Sequence, residues 1–177
     1  LIGQKNVDLS AALEKILKSY ECYFDIERDY RIFDVTVPAF ARFYVRNERY
    51  VLTKRAKLWS TEAYEYLFFF CEKVLSPGRW EEIRELMMRC EKVLVKPHRD
   101  HMYSYISAVI LCESLDPAAE KAVRSFRFQK SYCFSFHGWM TARAAAVCLT
   151  DGRIVCNRPG KDILKHLKKV INQEISC

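Results

Sequence analysis

Apolar residues recur at helical spacing near the start of the chain: Leu9, Leu13, Ile16, Leu17 and Tyr20 share one stripe, and Asp8 stands where an N-cap accepts free backbone N–H groups. From Ile32 the pattern changes to β-branched and aromatic residues with frequent alternation, which predicts strands at 32–37, 39–46, 49–59 and 64–71. Residues 61–75 also fit a helix capped by Ser60, with Ala63, Leu67, Phe70 and Val74 on one side, but their aromatic density favours a strand.

Helical spacing returns after Ser76, where Trp80, Ile83, Met87, Cys90 and Leu94 form a stripe that Pro97 follows. Beyond it, "YSYISAVILC" has the make-up of a buried strand, Asp116 and Pro117 open a short helix, and "QKSYCFSF" reads as another strand. "ARAAAVCLTDGRIVCN" has the form of a hairpin turning at Asp151 and Gly152. A last helix places Ile163, Leu167, Val170 and Ile171 inward and Lys161, Lys165, Lys168 and Lys169 outward. The expected architecture is a single α+β domain over 1–177. Its sheet is largely antiparallel, an N-terminal meander plus a C-terminal hairpin, with about four helices against one face. Residues 1–97 hold helix, meander and helix; 98–177 hold strand, helix, strands and a C-terminal helix.

A chain of 177 residues that is 50% hydrophobic and 14% aromatic can bury a substantial core. Its apolar runs, such as "YLFFFC", fall short of the roughly 20 residues of a membrane helix. The opening "LIGQKNVDLSAALEK" lacks a basic segment followed by an apolar one, so a soluble, cytoplasmic chain is expected. The eight cysteines lack the paired spacing of zinc or redox motifs, and several sit in apolar runs, which predicts free and mostly buried thiols.

Charge singles out "RFYVRNERYVLTKRAKLW", Arg42 to Trp59, where six Lys or Arg stand against one acid, Glu48, in a chain of formal charge +7. With a turn at Arg46–Arg49, alternation puts Arg42, Tyr44, Arg46, Arg49, Arg55 and Lys57 on one face. Ala39, Ala41, Phe43, Val45, Tyr50 and Leu52 then lie on the other, and only Lys54 breaks the split. Basic side chains beside Tyr44, with Tyr64 and Tyr66 near, are what a polyanion-binding surface uses. The bland alternative is the wet face of a sheet whose charges are neutralised by Asp25, Glu27, Asp29, Glu62 and Glu65.

In "KPHRDHM", His98, Asp100 and His101 have a spacing that divalent metals accept. A metal-dependent nuclease would also need converging carboxylates beside a lysine, and neither Asp34 nor Glu72–Lys73 supplies the set. Five glycines and no phosphate-cradling loop argue against the usual nucleotide folds. The resulting expectation is a non-catalytic binding module without a cofactor or a membrane. Its partner is a nucleic acid or an acidic protein surface, and a homo-oligomer through aromatic strand edges is a further reading. The alternative is a metal-dependent enzyme acting on a phosphate-containing substrate through His98, Asp100 and His101.

Overall fold

The computed structural model describes residues 8–49 and 59–172, with the side chains of residues 48, 49, 59 and 172 excepted. Helix α1 (Leu9–Tyr20) is followed by strands β1 (Asp25–Ile32), β2 (Val35–Arg49) and β3 (Trp59–Leu75) and by helix α2 (Pro77–Leu94). Strand β4 (His101–Leu115), helix α3 (Pro117–Ser125), strands β5 (Gln129–Ser131), β6 (Trp139–Cys148) and β7 (Ile154–Cys156), and helix α4 (Lys161–Asn172) complete the order. Asp8 caps α1 by accepting the N–H groups of Ser10 and Ala11, and Asp116 does the same for Ala118 and Ala119 at the start of α3. Among the described residues, no helix is long and apolar enough to cross a membrane.

Among the described residues, seven strands form one mixed sheet in the order β1-β2-β3-β4-β6-β5, with β7 also on β6. The expected antiparallel character holds for β1-β2-β3 and for β6 with β5 and β7, but β3-β4 and β4-β6 are parallel. The physical reason is connection length. A strand that returns through a helix starts again at the same end of the sheet, and α2 and α3 are two such crossovers.

Helices also cover both faces rather than one. Trp80, Ile83 and Met87 of α2 and Val123 of α3 pack with Phe40, Phe68, Phe70, Ile106 and Ile110 on one side. Leu13, Ile16 and Leu17 of α1 and Ile163 and Leu167 of α4 pack with Leu67, Phe69, Val109 and Val147 on the other. That explains the run Leu67–Phe70: a strand buried on both faces has no reason to alternate, and 61–75 is strand throughout.

Smaller departures have local causes. The predicted 32–37 strand is split by a two-residue turn, with Phe33 at φ +56° and Ile32 paired with Val35. "QKSYCFSF" is strand only through Ser131, because Cys133, Phe134 and Ser135 all have left-handed φ and turn the chain back. At the Asp151–Gly152 hairpin only Gly152 has positive φ. Of the seven described cysteines, all free, Cys90, Cys112 and Cys148 are buried, whereas Cys22 and Cys133 are exposed, against expectation.

The strands outrun the helices, and this positions the candidate site. At about 3.3 Å per strand residue and 1.5 Å per helical residue, β3 is roughly 55 Å long, α2 about 27 Å, and α1 and α4 about 18 Å each. The end of the sheet carrying the first halves of β3 and β4 and the last half of β2 therefore extends beyond helical cover on both faces. Polar and aromatic side chains collect there.

Candidate nucleic-acid interface

On the face shared with α2, register sets Arg42 opposite Tyr66, Tyr44 opposite Tyr64 and Arg46 opposite Glu62. Three tyrosine rings follow one another: Tyr44 and Tyr64 have centroids 4.9 Å apart, and Tyr64 and Tyr66 are 6.2 Å apart with planes within 10°. The row continues inward to Phe40, 6.3 Å from Tyr66 with its plane nearly parallel. Burial falls along the row, from Phe40 in the core to Tyr44, 50% exposed. The Tyr66 hydroxyl donates to the Leu94 carbonyl at the end of α2, which marks where helical cover stops. Between this row and the end of α2 lies a groove of about 390 Å³ whose lining includes Arg42, Tyr44, Tyr64, Tyr66 and Lys96.

Of the basic residues beside the rings, Arg42 is held loosely. Arg42 is 3.7 Å from both Asp25 and Glu27, and Arg46 is 3.9 Å from Glu62 while its Nε donates to Ser60 at 3.0 Å. The pairs of Arg42 are exposed on both sides and contribute little, so exchanging a carboxylate for a phosphate there costs little. The face assignment thus stands for Arg42, Tyr44 and Arg46, all exposed, opposite buried Ala39 and Ala41 and half-buried Phe43 and Val45. It fails in its premise for Arg49. The turn expected at Arg46–Arg49 is strand, so the count that joined Arg49 to Arg46 no longer applies. Tyr50, Leu52, Lys54, Arg55 and Lys57 lie outside the described residues.

Glu62 is a hub that sequence pattern did not single out. It receives the Tyr64 hydroxyl at 2.7 Å and faces His98 Nε2 at 3.2 Å. Tyr64's hydrogen bond, then the charge of His98, the Tyr44 hydroxyl and the charge of Arg46, hold its carboxyl below the usual range, against the opposing effect of burial. The signal was available as an acid directly before the aromatic pattern "AYEY", but only the cross-strand register brings Arg46 and His98 to it.

His98 and His101 come together, with ring centroids 6.1 Å apart, at the entrance to β4. His98 Nδ1 accepts the Asp100 backbone N–H, leaving Nε2–H to donate toward Glu62. His101 is buried. Its Nδ1–H donates to the His137 carbonyl at 2.7 Å, and its Nε2 accepts from Ser104 Oγ at 2.8 Å. Burial pushes its pKa down and keeps the ring neutral. All four ring nitrogens are engaged within the protein, and among the described residues no three His, Cys, Asp or Glu side chains are grouped to hold a metal. The pair thus braces the strand entrance under Glu62. Asp34 and Glu72, each in an arginine pair with Arg89 and Arg79 respectively, do not join it.

Residues 8–169 match the family described as a domain of unknown function, DUF8052. No curated protein and no solved structure matches the chain.

Proposed function

The chain belongs to the DUF8052 family over nearly its whole length, and from its own residues we propose that it is a non-catalytic, cytoplasmic binding module for single-stranded nucleic acid. One observation carries the reading: the graded row Tyr66–Tyr64–Tyr44, flanked by Arg42 and Arg46, at an uncovered end of the sheet. The exposed Tyr44 ring at the outer end of the row can take an unpaired base by stacking, and the neighbouring guanidinium groups can take the phosphates beside it. A duplex keeps its base faces stacked internally and cannot use the row. Free thiols throughout the described residues accord with a reducing compartment.

Titrating labelled single-stranded and duplex oligonucleotides against the protein by fluorescence anisotropy tests this. Single strands should bind more tightly, and Tyr44→Ala should weaken them by about 5- to 150-fold, the range of one base–aromatic stack. Neutralising Arg42 and Arg46 together should also flatten the salt dependence, by about 0.7 in log–log slope for each phosphate that is no longer neutralised. Equal affinity for both forms, or a Tyr44→Ala variant that binds single strands like the parent, would overturn the proposal.

A further inference from the structure

The opposite face of the same overhanging sheet end carries a second, chemically different opening. Short of the ends of α1 and α4, a cleft of about 520 Å³ has Glu65, Tyr105 and Arg143 at its floor and Tyr23, Phe43 and Tyr103 around it. Arg143 is only 7% exposed along its side chain. Its Nε donates to Ser107 Oγ at 3.0 Å, its Nη2 to Glu65 Oε2 at 2.7 Å, and its guanidinium carbon lies 4.0 Å from the Tyr105 ring centroid.

Such a pair is an expensive way to fill a sheet face. Removing both charges from water offsets most of their attraction, and apolar side chains of similar size would stabilise the fold at least as well. The next positions along the same strands and face are apolar, Leu67, Val109 and Ala145, so the face accommodates them. Arg143 Nη1 and Glu65 Oε1 have no partner among the described residues. Because no buried side-chain nitrogen or oxygen there lacks one, both atoms open to the cleft. The floor, bordered by rings, therefore offers the cleft both a donor and an acceptor.

We infer that this cleft binds a nucleobase presented as an uncharged nucleoside. A base offers what the floor lacks, an acceptor next to a donor along one planar edge, and its faces suit Tyr23 and Tyr103. The volume is within the range of small-molecule sites. Charge gives a phosphorylated ligand no advantage at the floor: Glu65 balances Arg143 there, Asp162 at the rim is paired with Lys165 at 3.9 Å, and His166 is held toward its neutral form by burial. A nucleoside monophosphate would bring its anion to a floor whose cation among the described residues, Arg143, already has its charge balanced by Glu65.

Heteronuclear NMR titration of the intact protein with adenosine, guanosine, cytidine and uridine, and then with the 5′-monophosphate of whichever binds, tests the inference. At least one nucleoside should bind at millimolar concentration or below, shifting signals of Tyr105 and Arg143, and its monophosphate should bind more weakly. Tyr23→Ala, at an exposed rim position, should weaken binding about 5-fold or more. Glu65→Gln, which turns an acceptor pair into a mixed group of equal size, should weaken it about 10-fold or more. Tyr103→Ala takes the place of Glu65→Gln if that variant does not fold. The inference is overturned if no nucleoside binds the folded protein, if the monophosphate binds more tightly, or if either variant binds like the parent. Loss of oligonucleotide binding in Tyr44→Ala reports on the other face and leaves these outcomes distinct.

Discussion

The side-chain oxygen of Asn157 accepts the backbone N–H of Ala144 at 3.0 Å, and the Asn157 N–H returns a bond to the Ala144 carbonyl at 3.0 Å. Along that edge of β6, β5 pairs with residues 139–141 and β7 with 145–147, leaving a gap between them. Asn157 fills it. Its amide nitrogen donates to the carbonyls of Ala142 and Phe126, and its oxygen also accepts from Gly160, so one wholly buried side chain completes the edge and starts the turn into α4.

Asn157→Ala should therefore destabilise the protein by about 2–4 kcal/mol, because several buried backbone groups lose their partners at once. Urea denaturation checks this. A change below about 0.5 kcal/mol, the size expected of a neutral surface substitution, would show that water replaces the side chain.

Gly138 sits at φ +73° under the entrance to β4, and a Cβ there would press on the Met102 carbonyl and lie 2.6 Å from that of His101. The His137 carbonyl that holds His101 is the preceding peptide group. Gly138→Ala should cost about 2 kcal/mol or more, since backbone must move and the left-handed conformation is strained for alanine. The His101 ring signals in an NMR spectrum should shift with it, whereas a mere loop change would leave them in place.

Burial lowers the pKa of both His101 and His166 in the folded protein. As pH falls below the ordinary value of 6.5, the unfolded chain takes up these protons before the folded one does, so stability declines from there downward and levels off once the folded histidines also protonate. Around His101, the charge of His98 reinforces the shift and that of Glu62 opposes it. Thermal unfolding from pH 7.5 to 5 should show a falling midpoint, with a shallower fall in His101→Asn; identical slopes in both proteins would remove His101 from the account.

Native thiol labelling with peptide mapping should modify Cys22 and Cys133 first, since both are exposed. Cys90, Cys112 and Cys148 should resist until the protein opens, being buried. For Cys90 and Cys112, burial also pushes the thiol up to about 12, which removes the reactive thiolate. Rapid modification of Cys90 would contradict the packing of α2 on the sheet.

The helices were legible in the sequence because each depends on local terms. Asp8 and Asp116 cap through their own following residues, and Leu13, Ile16 and Leu17 meet the core by periodicity alone. The alternation of Arg42, Tyr44 and Arg46 against Ala39 and Ala41 was legible for the same reason. Strand direction was not, because whether β3 and β4 run parallel depends on where α2 packs, and both arrangements share one hydrophobic pattern. The strand of β1 was missed because "DIERDYRI" is a largely exposed edge whose pairing is with backbone, not core.

The chain by itself determined which residues are basic, aromatic or apolar and which neighbours alternate, since those properties belong to each residue and its local backbone. Tertiary structure alone decided that Glu62 lies between Tyr64 and His98, and that Glu65, Ser107 and Arg143, drawn from three strands, form one hydrogen-bonded group. The reason is geometric: residues up to 78 positions apart become neighbours only when strand order and register are set, and packing on both faces of the sheet sets them.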